Sequence, residues 1–326
     1  MTLYSATAIA HPNIAFIKYW GNKDETLHLP LNGSLSMCLD GLKTITTVTF
    51  DPALQTDTLT LDSKSIQGAG LERVQRFLDH VRLLASKQIY AQVESVNNFP
   101  SGAGIASSAS AFAALALAST HALGLQLTER DLSRLARLGS GSACRSVPGG
   151  FVEWQVGESD ADSFAFSIAP ADHWELVDLI VIVDRGHKST GSAEGMTRAQ
   201  TSPHQAQRLA DAPNRLAFCR QTILARDFAA FAAVVELDSN WMHAVMQSSQ
   251  PPLYYWQPAT EEILTNVFGW RAEGHAVCAT VDAGPNVHVL CLPEEQDFLV
   301  SNLNAIPEVQ EVIIARPGGS ASILTG

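Results

Sequence analysis

The sequence predicts an α+β protein of two lobes, and three observations carry that expectation. At 326 residues the chain is long for one compact core, so two lobes fit better than one. Its first third alternates apolar and polar residues in the manner of antiparallel strands. Its helical segments come in runs and not in strict alternation with strands, which is the α+β pattern.

Taken in order, strands are expected over 7–10, 34–39, 43–50 and 58–61. From Leu71 the apolar residues Leu71, Val74, Phe77, Leu78, Val81 and Leu84 recur at helical spacing, the mark of an amphipathic helix. Residues 90–96 return to strand. A glycine-rich turn follows, then a helix to about residue 121, and a further helix opening at Thr128, with Asp131 placed as its capping partner. Gly149 and Gly150 precede a short strand over 151–156. A polar stretch at 157–162 loosens the chain, and the apolar strand at 176–183 begins the second lobe, so the expected division is 1–175 and 176–326. Helices are expected over 203–225, 228–245 and 260–271. Strands at 276–281 and 287–292 bracket a tight turn, Asp282-Ala283-Gly284-Pro285-Asn286, and a strand at 309–314 closes the chain.

Composition narrows the function. Hydrophobic residues at 46% and charged residues at 17% make an ordinary globular balance. The formal net charge of −12 disfavours nucleic acid and anionic membrane as partners, so a bound anion needs a local cluster of donors. Cys38, Cys144, Cys219, Cys278 and Cys291 are scattered, without a CxxC pair, which suits reduced buried thiols. The apolar run at the N-terminus is broken by His11-Pro12-Asn13, and the small-apolar run at 109–118 is too short to span a bilayer. The expectation is a soluble cytoplasmic protein.

Four segments carry chemistry. In the first, Asn97, Pro100, Gly102, Ala103, Gly104, Ala106, Ser107 and Ser108 lie along a strand end, a glycine-rich turn and a helix start. Free N–H groups and the positive end of the helix dipole make such a place fit for phosphate. The same turn also fits a plain helix cap packed with small residues. It departs from GxGxxG at Ser107 and lacks the Lys of a P-loop. In the second, Ser140, Gly141, Ser142 and Arg145 put two hydroxyls and a guanidinium within reach of one carboxylate or phosphate, or else end a helix beside a surface arginine. The third is Asp282 before Ala283-Gly284-Pro285, either a general base at a strand end or a turn former. In the fourth, Lys18 interrupts the apolar run at 13–21, as a buried charge partner or as a lysine whose stem lies on apolar surface. His243 beside Met242 reads as a packed side chain, and the six tryptophans are too dispersed for a base-stacking platform.

In this order, the segments 13–21, 31–36, 95–109, 139–146, 150–154, 190–196, 238–244 and 282–286 resemble the mevalonate diphosphate decarboxylases of the GHMP kinase superfamily. The resemblance runs nearly end to end. It implies an N-terminal lobe like ribosomal protein S5 domain 2, a ferredoxin-like C-terminal lobe, an active site in the cleft between them, and a homodimer. It further implies an ATP-dependent decarboxylase of the isoprenoid (mevalonate) pathway, using magnesium. Asp282 would orient or deprotonate the substrate's tertiary hydroxyl, Lys18 would keep that carboxylate ionised, and Arg145 would grip the substrate carboxylate. Asn13, Ala15, Tyr19, Asn22, Ser140, Gly141, Ser142, Ser192, Met196 and Ala283 would line the substrate. Asn97, Pro100, Gly102, Ala103, Gly104, Ala106, Ser107 and Ser108 would surround the ATP phosphates, with Ser107 towards the metal.

One position departs from the family pattern. After Tyr19-Trp20-Gly21 the family usually has a lysine directed at the terminal phosphate; here Asn22 stands there, with Lys23 next and Glu194 near the expected tail pocket. An amide supplies no charge and a carboxylate opposes a second phosphate. The expected substrate is therefore mevalonate 5-phosphate, giving isopentenyl phosphate. The alternative is mevalonate 5-diphosphate with Lys23 swinging in, and a kinase that stops at the 3-phosphate ranks below both.

Overall fold

A computed structural model describes residues 3–100, 107–186 and 190–324. The first strands are β1 (Tyr4–Ala10), β2 (Asn13–Ile17), β3 (Asn22–Asp24), β4 (Leu29–Pro30), β5 (Ser34–Asp40), β6 (Thr44–Phe50), β7 (Thr58–Leu61) and β8 (Lys64–Ile66). Helix α1 (Ala69–Ala85), β9 (Ala91–Asn97), α2 (Ser107–Ala122), α3 (Glu129–Gly139), β10 (Phe151–Trp154) and β11 (Ala165–Ala169) follow. The remainder is β12 (Val177–Ile182), α4 (Ser192–Arg198), α5 (Gln205–Ala225), α6 (Phe228–Ser248), α7 (Pro258–Ala272), β13 (Val277–Val281), β14 (Val287–Cys291), α8 (Gln296–Asn304), β15 (Glu311–Pro317) and β16 (Ser322–Ile323).

One sheet has the order β16-β1-β6-β9-β7-β8. In β6 the sequence TITTVTF alternates buried and half-buried residues, because one face meets helices and the other meets solvent. The helix side is filled by Val74, Phe77, Leu78 and Val81 of α1 and by α2. Helix α2 is rich in alanine and serine and is buried almost all round, so its small side chains let it lie close against β1 and β6. Helix α3 starts as its sequence dictates: the Thr128 hydroxyl accepts the Asp131 N–H at 3.2 Å.

A second large sheet runs β11-β10-β5-β15-β12-β14-β13, with β2 also paired to β5, and β3 and β4 form a separate two-stranded pair. Strand β12 (VDLIVI) is buried on both faces between β15 and β14, which is why it reads as a continuous apolar run. Helices α5 and α6 cover one face, where Phe16 meets Phe231 edge-on at 4.8 Å between ring centroids. Helices α7 and α8 cover the other, through Ile263, Val267, Leu299 and Leu303.

The architecture is α+β, as expected. The strand expected at 309–314 is not the last, however. Strand β15 pairs with β12 and, through Arg316 and Pro317, with β5, and β16 then returns to pair with β1. The C-terminal segment therefore ties the two sheets together. Among the described residues no helix is long and apolar enough to cross a membrane.

Candidate active site

A cavity of about 360 Å³ opens where the two sheets and their helices meet. Every expected substrate-lining residue borders it: Asn13, Ala15, Tyr19, Asn22, Ser140, Gly141, Ser142, Ser192, Met196 and Ala283, together with Lys18, Arg145 and Asp282. These come from β2 and the stretch after it as far as Asn22 of β3, from Ser140 and the 3₁₀ turn Gly141–Ser146, from α4 and from the turn after β13.

The centre of the site is an ion pair. Lys18 Nζ donates to Asp282 Oδ1 at 2.6 Å; Lys18 is 1% exposed, while the Asp282 side chain keeps 26% of its surface open. Burial by itself raises the Asp282 carboxyl, but the charges of Lys18, His288 and Arg145 and the Lys18 hydrogen bond outweigh it and hold the group below its ordinary value. Of the two sequence readings of Lys18, the buried partner is the one found.

Arg145 is buried, not a surface arginine beside a helix end. Its Nε donates to Asn13 Oδ1 at 3.2 Å and its Nη1 to Ser34 Oγ at 2.6 Å, while Asn13 Nδ2 is itself fixed on Ser146 Oγ at 2.8 Å. Among the described residues it has no carboxylate within ion-pairing distance. Desolvation pulls its pKa down, opposed by nearby groups such as Cys144 and Asp282. A buried guanidinium held by neutral partners favours an anionic ligand. Gly141 is required by close approach: a Cβ there would stand 2.6 Å from Tyr19 Oη. Burial pushes the Cys38 and Cys144 thiols up to about 12, so neither is a nucleophile.

At the far end the Tyr19 hydroxyl donates to Asn22 Oδ1, and Asn22 Nδ2 donates to Glu25 Oε2 at 2.8 Å. Asn22 is buried in this chain of bonds. Lys23, the extra residue where the pairing of β3 with β4 shifts register, is held away from the cavity: its Nζ bonds Gly157 O at 2.7 Å and Glu158 Oε2 at 3.0 Å. Lys23 is thus not turned towards the cavity as the swinging arrangement would need. Glu194, expected near the tail pocket, pairs instead with Arg198 one helical turn on and does not line the cavity.

Of the expected phosphate residues, Ser107 and Ser108 border both this cavity and an adjoining, largely apolar one of about 240 Å³, which Asn97 also lines. Ser108 Oγ lies 3.2 Å from Ser140 Oγ, linking the helix start to the substrate side. Asn97 Oδ1 accepts from Thr44 Oγ1 at 2.6 Å. Pro100 lines neither cavity, and Gly102, Ala103, Gly104 and Ala106 lie outside the described residues.

Sequence reasoning missed Arg73, Glu25, His28 and Met242, all of which border the larger cavity. Arg73 sits on α1 between the two cavities, its Nε on Gly139 O at 2.9 Å and its guanidinium over the Phe112 ring. Burial pushes the His28 imidazole down to about 4, so it is neutral. No spacing pattern marked any of them.

A family model for the diphosphomevalonate decarboxylase-like N-terminal domain matches residues 10–165, and one for the mevalonate 5-diphosphate decarboxylase C-terminal domain matches 178–317. The chain belongs to the diphosphomevalonate decarboxylase family. A relative from Ganoderma lucidum, named diphosphomevalonate decarboxylase, is 38% identical over 339 residues, covering 96% of this chain and 82% of its own. The human relative of that name is 40% identical, covering 90% and 78%. Among solved structures, mevalonate diphosphate decarboxylase from Staphylococcus aureus superposes with a TM-score of 0.95 at 37% identity, covering 99% of each chain. A solved complex containing MVAPP, AMPPCP and magnesium superposes at 0.94 with 39% identity, covering all of both chains. The family resemblance and the two-lobed fold read from the sequence therefore hold. Both relatives are named for the diphosphate, not for the monophosphate expected from Asn22.

Proposed function

We propose that the chain catalyses the ATP-dependent decarboxylation of mevalonate 5-diphosphate to isopentenyl diphosphate, ADP, phosphate and CO₂. The observation that carries this reading is the Lys18–Asp282 pair at 2.6 Å, facing the same cavity as a buried Arg145. Phosphoryl transfer asks a protein mainly for positioning and charge neutralisation. Asp282, kept ionised by Lys18, orients the C3 hydroxyl and takes its proton as the oxygen gains the terminal phosphoryl group. Arg145, with Asn13 and Ser34 fixing its plane, holds the substrate carboxylate. When the phosphate ester leaves C3, the bond from C2 to the carboxylate breaks. Its electron pair forms the new double bond and CO₂ departs, so the charge left by phosphate is balanced.

Residues 1–175 are assigned to the lobe that takes the nucleotide, and 176–326 to the lobe that brings Asp282. Ser107 and Ser108 suit the nucleotide phosphates, and the adjoining apolar cavity suits a flat base. Among the described residues no group of three or more His, Cys, Asp or Glu could hold a metal by itself. Ser107, which borders the cavity, would supply a hydroxyl to a magnesium ion brought with the nucleotide. When bound, the ion neutralises phosphate charge. The relatives' names support the diphosphate, and a homodimer remains part of this reading.

The bond from Asn22 to Glu25 favours a second reading, with the monophosphate as substrate, because it sets an uncharged amide and a carboxylate at the tail end. Parallel turnover of the two mevalonate phosphates decides between them. The diphosphate reading requires the higher kcat/KM with the diphosphate; a higher value with the monophosphate overturns it. Asn22→Lys adds a charge beside Tyr19 and Glu25, and the ratio of kcat/KM values is expected to move about tenfold towards the diphosphate, as for one added charge-assisted contact.

A further inference from the structure

Helix α6 buries three polar side chains, Asp238, Ser239 and His243, none of which lines the cavity, although Met242 of the same helix does. Polar groups on a core-facing helix surface weaken a fold unless they are paired. Here the partners are two short pieces of backbone from opposite ends of the chain. Asp238 Oδ2 accepts the main-chain N–H of Lys18 at 2.6 Å. Ser239 Oγ accepts the main-chain N–H of Val281 at 3.1 Å, and His243 Nε2 lies 3.1 Å from the Val281 carbonyl oxygen. Burial pushes His243 down to about 4, so its ring is neutral; the tautomer protonated at Nε2 donates to that carbonyl, whereas the other tautomer accepts at Nε2 from the Trp256 indole N–H, 3.3 Å away.

Just over one turn of helix thus grips both the residue that bears the ammonium and the residue immediately before the one that bears the carboxylate. The grip is itself fixed from behind. Arg215 Nε donates to Asp238 Oδ1 at 2.8 Å, and Arg215 Nη2 donates to the Arg208 carbonyl at 3.0 Å. Arg208 Nη2 and Asn32 Nδ2 donate to the Lys18 carbonyl at 2.8 and 3.0 Å. Both main-chain groups of Lys18 are therefore bonded by buried side chains.

We propose that Asp238, Ser239 and His243 are positioning residues that set the separation of the Lys18 ammonium and the Asp282 carboxylate. They touch neither substrate. Their effect passes through two backbones, so losing one contact lets one partner of the pair drift, and small misplacements of reacting groups carry large rate costs. The inference rests on the decarboxylase reading for the role of the pair. Wild-type turnover tests that reading, whereas the ratios among variants test this one.

The experiment compares Ser239→Ala with Ser239→Thr, each in the wild-type chain and in Lys18→Met, with kcat expressed per folded molecule. Ser239→Ala is expected to lower kcat about tenfold with both KM values within about twofold, and Ser239→Thr, which keeps the acceptor oxygen, to recover most of that loss. With Lys18 already replaced, Ser239→Ala is expected to cost less than about twofold, because coupled groups are not additive. If Ser239→Ala does not fold, Asp238→Asn takes its place, with the same fall in kcat at unchanged KM and the same loss of effect beside Lys18→Met. An unchanged kcat, a threonine variant no better than alanine, or an equal loss in both backgrounds overturns the proposal.

Discussion

Replacing Asp282 with asparagine is expected to lower kcat about a thousandfold while both KM values stay within a few-fold, the size of effect that follows loss of a positioned general base. The substitution keeps the side chain's shape and its place after β13, so the cavity survives. What it removes is the group that accepts the hydroxyl proton and the partner of a nearly fully buried ammonium. The expected pattern is a fall in kcat with little change in binding, because the interaction matters as the hydroxyl becomes a nucleophile. Stability is expected to drop as well, since Lys18 is left buried without its carboxylate. Steady-state kinetics alongside a thermal melt separates the two effects. A kcat within tenfold of the wild type would remove Asp282 from the chemistry.

Lys18→Met is expected to cost about a hundredfold in kcat, the scale of one preorganised charge, and to alter the pH profile in a defined direction. Burial raises the Asp282 carboxyl, and the Lys18 charge and hydrogen bond, with His288 and Arg145, bring it below the ordinary value. Removing Lys18 takes away the leading lowering influence, so the pKa of Asp282 rises. Activity requires the ionised form, and the acid limb of kcat therefore moves to higher pH in the variant. A pH profile of kcat checks this. An acid limb that stays in place or moves to lower pH would contradict the role given to Lys18.

Much of the fold was legible because its signals are local. The alternation in β6, the apolar stripe of α1 and the Thr128 cap of α3 each reflect neighbours within a few residues. Strand β2 was visible only as a motif, since a strand buried at every position shows no alternation. Helices α4 and α8 are short and lack side-chain caps, so nothing in the sequence announced them. The pairing of β15 with β5 and of β16 with β1 joins residues hundreds of positions apart, and no local pattern encodes it.

The site divides in the same way. Lys18, Arg145 and Asp282 stood in segments whose order resembled one family, and the structure places all three on one cavity. Arg73 could not be told from other arginines on the polar face of α1, because its surroundings come from Gly139 and Phe112 of other helices. Lys23 and Glu194 were close in sequence to the expected tail pocket but point elsewhere, Lys23 by its bonds to Gly157 and Glu158 and Glu194 by pairing with Arg198. Adjacency along the chain was a poor guide to facing direction.

The central claim is that one carboxylate and two buried cations act on a single tertiary alcohol, coupling its phosphorylation to carbon loss. The most direct test is the ratio of CO₂ to ADP released when the purified protein turns over mevalonate 5-diphosphate with ATP and magnesium. The account predicts one CO₂ for each ADP throughout the reaction. ADP released without CO₂, with a stable 3-phosphate accumulating, would contradict it.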